Sequence, residues 1–91
     1  MKRHDRYFVY ILKCRNGTYY TGYTANIDKR IKRHNKGHGA KYLRGRLPVT
    51  LAYSKEYRYY KNALKAEKEL KKLTHAQKEK LVRAFSADTN N

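Results

Sequence analysis

Tyr7-Phe8-Val9-Tyr10-Ile11-Leu12-Lys13-Cys14-Arg15-Asn16-Gly17-Thr18-Tyr19-Tyr20-Thr21-Gly22-Tyr23-Thr24 is the stretch on which the fold turns. Over Tyr7 to Cys14, Phe8, Tyr10, Leu12 and Cys14 fall on one alternating set and Tyr7, Val9 and Ile11 on the other, the pattern of a strand buried on both faces. Tyr19 to Thr24 is rich in the β-branched and aromatic residues that suit a pleated sheet. The two segments predict a hairpin, and its turn decides which side chains share a face. A two-residue Asn16-Gly17 turn would send Tyr10 and Tyr20 to opposite faces. A turn over Arg15-Asn16-Gly17, closed by Gly17 in the left-handed region, pairs Cys14 with Thr18, Leu12 with Tyr20 and Tyr10 with Gly22. We expect the bulged turn, because only it brings both tyrosines and a bare glycine to one surface.

Outward from the hairpin, Asn26 can cap a helix starting at Ile27, with Asp28 well placed in its first turn. Ile27, Arg30, Ile31 and His34 share one side of that helix. It should end near Asn35, before Lys36-Gly37-His38-Gly39. A loop with Lys41, Tyr42, Arg44, Arg46 and Pro48 leads to a third strand over Val49 to Lys55, where Val49, Leu51 and Tyr53 alternate. Ala63, Ala66, Leu70 and Leu73 recur at helical spacing over Tyr59 to Leu73, and Thr74 with Gln77 forms a capping box that starts a last helix, His75 to Ala84. The expected architecture is α/β (α+β), in the order ββαβαα: a three-stranded, mainly antiparallel sheet packed with helices. Residues 6–84 form the domain and residues 85–91 an expected disordered tail.

Composition limits the partners. The chain has 91 residues, enough for one core, and 23 Lys and Arg against 7 Asp and Glu, a net charge of +16. Self-repulsion on that scale implies an anionic partner. A membrane-surface helix would gather its aromatic residues on one face, whereas the ten tyrosines are spread along the chain. No segment is long and apolar enough for a transmembrane span or a signal peptide, so nucleic acid is the expected partner, in the cytoplasm and without a membrane. One cysteine, Cys14, rules out an internal disulfide and reads as packing. His34 and His38 have the spacing of metal ligands, but Gly37 interrupts the helix and no third ligand is near in sequence.

Phe8-Val9-Tyr10 and Tyr20-Thr21-Gly22 resemble the two tripeptides of the GIY-YIG family, at the separation that family shows. Arg30 stands at its arginine, His34 at its frequent His or Tyr, and Glu67, within Ala63-Leu64-Lys65-Ala66-Glu67, at its metal-binding glutamate. Gly39 to Val49 further resembles a branch of small, uncharacterised bacterial members made of this domain alone. The resemblance implies a metal-dependent endonuclease that hydrolyses phosphodiester bonds with one divalent cation, Mg²⁺ or Mn²⁺, and no small-molecule cofactor. It assigns Tyr10 as general base, Tyr20 to position phosphate or water, Arg30 to stabilise the transition state, His34 to orient Tyr10 or relay its proton, and Glu67 to bind the metal. These residue types suit the chemistry, because a guanidinium and a cation offset the negative charge that gathers on the phosphoryl oxygens.

Glu69 serves as an internal control for Glu67. Measured from Leu70, Glu67 lies about 60° round the helix, between Ala63 and Leu64, while Glu69 lies about 100° to the other side among lysines. A carboxylate entering an apolar stripe needs a partner, either a lysine or a metal ion. Lys41, Tyr42, Arg44 and Arg46 in the glycine-flanked loop, together with Lys71, are the expected nucleic-acid contacts, with DNA ahead of RNA. Gly17 and Gly22 are expected to be structural. The chain departs from the family pattern at Phe8, which replaces a glycine, and at Thr21, which replaces an isoleucine. It also has no asparagine between Glu67 and Asn90-Asn91, where many members carry one. The alternative reading is a non-catalytic basic DNA- or RNA-binding module on the same fold.

Overall fold

The computed structural model describes residues 6–89. Its elements run β1 (Tyr7–Cys14), β2 (Tyr19–Thr24), α1 (Ile27–Asn35), a 3₁₀ turn (Lys41–Leu43), β3 (Val49–Tyr57), α2 (Tyr60–Lys71) and α3 (His75–Thr89). The sheet has the order β2-β1-β3 with both pairings antiparallel, so the two-sided apolar strand is the central one. No helix among the described residues is long and apolar enough to cross a membrane.

The hairpin takes the bulged form. Gly17 has φ +88°, its N–H donates to the Cys14 carbonyl at 2.9 Å, and the Cys14 N–H donates to the Thr18 carbonyl at 2.8 Å. Tyr10 consequently faces Gly22, and Leu12 faces Tyr20. On that face Tyr10, Leu12, Cys14, Leu43 and Val49 form a buried cluster, flanked by Tyr20, Ile31, Ala40 and Leu47. Val9 and Ile11, on the alternate set, are buried on the other face, and α2 packs across β1 and β2.

The end of β3, its alternation and the end of α3 differ from the sequence expectation. β3 continues to Tyr57 because its partner β1 begins at Tyr7, opposite that residue. The Val49-Leu51-Tyr53 alternation is broken between the Ile11 and Leu12 pairings. Leu51 lies opposite Leu12, whereas Tyr53 lies opposite Ile11 and so belongs to the other face. Tyr53 there meets Phe85 of α3, ring centroids 5.8 Å apart, and α3 runs on to Thr89 rather than ending at Ala84. The expected tail is therefore helical over residues 85–89, and residues 90–91 lie outside the described residues.

Side chains join the elements at their ends. The Asn26 side chain accepts from the Lys29 N–H at 3.0 Å and caps α1. Thr74 and Gln77 exchange the two bonds of the capping box, at 2.9 and 3.2 Å. At the other end of α1, the Asn35 carboxamide accepts from the Val49 N–H at 2.8 Å and donates to the Val49 carbonyl at 3.2 Å.

Thr21, the departure in the second tripeptide, is buried, and its hydroxyl has no hydrogen-bond partner. A buried unpaired hydroxyl carries a desolvation cost. Thr21→Val should therefore stabilise the domain by about 1 kcal/mol, raising the thermal midpoint by roughly 4–8 °C. A lower midpoint in thermal unfolding would show that the hydroxyl is satisfied.

Candidate active site

The bulged hairpin puts the Tyr10 ring directly above Gly22. A Cβ built on Gly22 would lie 2.6 Å from Tyr10 Oη and 2.8 Å from its Cζ, so only a glycine admits the ring. Tyr10 is 2 % exposed in spite of its hydroxyl, and the polar group it meets is the His34 ring, with Oη 3.3 Å from Nε2. His34 is equally buried, on the inner side of α1.

The His34 tautomer follows from its second nitrogen. The Ala40 N–H donates to Nδ1 at 3.2 Å, so a neutral ring carries its proton on Nε2 and donates it to Tyr10 Oη. Burial, then Arg30, then Arg33 hold His34 below its ordinary value of 6.5, which favours that neutral form. Both nitrogens are thus engaged, and α1 has ended before His38, so the pair is not arranged as metal ligands. The donated bond suits a ring that orients Tyr10 rather than one that takes its proton.

A lowered folded-state value has a sign. Protons bind the unfolded chain more readily than the fold, so the contribution of neutral His34 is complete above pH 6.5 and is lost as pH falls below it. Thermal midpoints measured from about pH 8 down to about pH 5 should decline, and His34→Gln should flatten that decline. An unchanged slope in the variant would remove His34 as its cause.

In front of Tyr10 opens a cleft of about 300 Å³, lined by Tyr7, Tyr10, Tyr20, Gly22, Tyr23, Thr24, Ala25, Arg30 and Glu67. Four of the expected catalytic residues therefore meet there, from four elements, and His34 stands behind Tyr10. Glu67 is 7 % exposed and shares with Ala63 the buried side of α2, whereas Glu69 is exposed, as the helical angles require. Its protein partner is Lys71, one turn on, with Nζ 3.6 Å from Oε1. Lys71 thus reaches the site through Glu67 and remains half exposed.

The electrostatics of Tyr10 are mixed. Burial raises its phenol well above the ordinary value of 10, and Tyr20 and Glu67 add to the rise, while Arg30 alone opposes it.

The basic loop makes contacts that the sequence did not show. Tyr42, on the 3₁₀ turn, stacks on Tyr20 with centroids 6.0 Å apart and planes 24° apart, and the Arg46 guanidinium lies 4.0 Å above the Tyr42 ring. Arg46 also donates to the Tyr42 carbonyl. On its other side Tyr20 meets the edge of His34 at 5.7 Å. Tyr42 and Arg46 accordingly brace Tyr20, and only Lys41 and Arg44 of this group are exposed without such engagement among the described residues.

Sequence reasoning missed four contributors. Tyr7 and Tyr23 line the cleft from the strand ends, and Tyr60 packs on both, with ring centroids at 5.4 and 5.7 Å and its hydroxyl 3.1 Å from that of Tyr23. Tyr60 was detectable, since seven residues before Glu67 place it on the same side of α2. Gly39 was not. A Cβ there would overlap His34 Nδ1, a contact made where the chain folds back over the end of α1, which no periodicity announces.

Known proteins share this arrangement of sequence and fold. The model of the GIY-YIG catalytic domain matches residues 6–80. A UPF0213 protein of Halobacterium salinarum is 48 % identical over 73 residues, covering 80 % of this chain and 95 % of the relative. One from Bacillus licheniformis is 48 % identical over 82 residues, covering 90 % and 84 %. The solution NMR structure of a UPF0213 protein from Bacillus halodurans has TM-score 0.57 at 44 % identity, covering 87 % of this chain and 84 % of that one. A solution NMR structure from E. faecalis has TM-score 0.62 at 36 % identity, covering 96 % and 93 %.

Proposed function

The chain belongs to the GIY-YIG family, which is of nuclease type, and on that premise we propose that it is an endonuclease hydrolysing phosphodiester bonds of nucleic acid with one divalent cation. The observation that carries the proposal is the convergence of Tyr10 (β1), Tyr20 (β2), Arg30 (α1) and Glu67 (α2) on one cleft.

Glu67 fits a metal ligand of a particular kind. Among the described residues no three His, Cys, Asp or Glu side chains gather, so the protein offers one nearly buried carboxylate and no closed cage. That donor set excludes a structural zinc site and suits Mg²⁺ or Mn²⁺, hard cations that accept few protein oxygens and keep several waters. When bound, such a cation supplies positive charge beside the phosphoryl oxygens and cancels the upward push of Glu67 on Tyr10.

The remaining work falls to the chain. Arg30, in the cleft wall, donates to the phosphoryl oxygens as their charge grows. Tyr20, held between Tyr42 and His34, presents its hydroxyl to phosphate or water from a fixed ring. Tyr10 acts as the phenolate: its own phenolic proton leaves to solvent first, His34 Nε2–H holds and stabilises the resulting oxygen, and that oxygen then takes the proton of the attacking water.

One observation favours a second reading. Lys71 already partners Glu67, and the phenol of Tyr10 is raised, a state that suits a basic binding module without catalysis. Incubation with supercoiled DNA, branched DNA and RNA separates the two. The endonuclease reading expects cleavage with Mg²⁺ or Mn²⁺ that stops on chelation and in Glu67→Ala. Binding without cleavage on every substrate supports the module, and cleavage indifferent to chelation or to Glu67→Ala overturns the metal assignment.

A further inference from the structure

Beside the cleft lies a second hollow of about 340 Å³, lined by Thr24, Ala25, Asn26, Lys29, Arg30 and Arg33. It shares Thr24, Ala25 and Arg30 with the cleft, so the Arg30 side chain stands in the wall between them. We infer that this hollow binds the phosphate adjacent to the scissile one on the same strand, an inference that rests on the endonuclease reading for the word scissile.

Polar groups other than cations are already matched there. The Thr24 hydroxyl donates to the Asn26 carbonyl and accepts from the Asn26 N–H, and Asn26 Oδ1 accepts from Lys29 N–H. The cations are not matched. None of the ion pairs among the described residues involves Lys29, Arg30 or Arg33, and no carboxylate lines the hollow. Arg33 gives Nε to the His38 carbonyl at 3.2 Å, which leaves its terminal nitrogens. Lys29 and Arg33, one turn apart with Arg30 beside them, repel each other on the helix; Arg33 gains from the carboxyl end of α1, whereas Lys29 has no such compensation there. A phosphodiester is the complementary ligand: a single negative charge shared by oxygens that accept from both guanidinium and ammonium groups. The wall shared with the cleft suits a phosphate joined covalently to the group bound there, the next phosphate of the strand.

Two substrates test this. Bis(p-nitrophenyl) phosphate carries one phosphodiester and no neighbour, whereas an oligonucleotide carries both. Lys29→Gln/Arg33→Gln should raise KM for the oligonucleotide about tenfold relative to KM for the small ester. The same double variant should weaken equilibrium binding of a fluorescein-labelled oligonucleotide in EDTA by about tenfold. Lys55→Gln, on β3, is the control and should alter neither measurement. If the two KM values move together, or if oligonucleotide binding is unaffected, the inference fails. Absence of hydrolysis in the unmodified protein, with the binding loss intact, overturns the endonuclease reading and leaves the phosphate subsite standing.

Discussion

Tyr10→Phe is expected to lower kcat by roughly 10²- to 10⁴-fold, the range typical of removing a positioned general base. The ring keeps its place in the core cluster and above Gly22, so the fold should survive. What is lost is the 3.3 Å hydrogen bond to His34, whose Nε2–H is left buried without an acceptor, a cost of about 1–3 kcal/mol in stability. Circular dichroism and thermal unfolding alongside the kinetics keep the two effects apart. The pH profile offers a second check. Because burial and then Tyr20 raise the phenol, the rate of the unmodified protein should climb with pH through neutrality. A variant that retains full activity, or a rate flat across neutrality, would assign the base to another group.

Gly39→Ala should affect the site from behind. Its Cβ would overlap His34 Nδ1, and the ring cannot yield without losing its contacts to Tyr10 and the Ala40 N–H. We expect a loss of roughly 1–3 kcal/mol, as for other overpacked interiors, and a fall in kcat because Tyr10 loses its support. Gly45→Ala is the control, since nothing lies within 4 Å of a Cβ at that position. Combining Gly39→Ala with His34→Ala should cost less than the sum of the two, because removing the ring removes the clash. Strict additivity would show that Gly39 acts elsewhere. Gly22→Ala tests the opposite end of the same pair, where the added methyl meets Tyr10 Oη. The Tyr10–His34 couple is thus held between two positions that tolerate only hydrogen as a side chain.

These two glycines also mark how far sequence could be read. Gly22 was legible because the hairpin register depends on local chemistry: a turn ending in Gly17, then strict alternation along both strands. The same is true of α1, whose cap at Asn26 and end at Asn35 are written in neighbouring residues. Glu67 was legible because helical angles separate it from Glu69. Gly39 was invisible, since its constraint comes from the path by which the chain turns back over the His34 ring after α1, which no periodicity encodes. The packing of Tyr42 and Arg46 on Tyr20 was not legible for a related reason. Basic and aromatic residues in an exposed loop look like substrate contacts, and only the 3₁₀ turn at Lys41–Leu43, which has no periodicity to announce it, lays them on Tyr20. The displaced alternation in β3 and the continuation of α3 past Ala84 belong together. The register shift before Leu12 turns Tyr53 to the opposite face, where Phe85 covers it.

Asn35 has a role beyond joining α1 to β3. β3 forms one margin of the sheet, and an open margin invites another chain to add a strand and aggregate. The Asn35 carboxamide occupies both the N–H and the carbonyl of Val49, the first residue of that strand, much as a residue of a neighbouring strand would. At this end of the margin a single amide stands in for the missing neighbour. A tyrosine-rich sheet is thereby shielded in two ways from its own copies: by mutual repulsion at +16, and by a local closure that persists when salt has screened the charge.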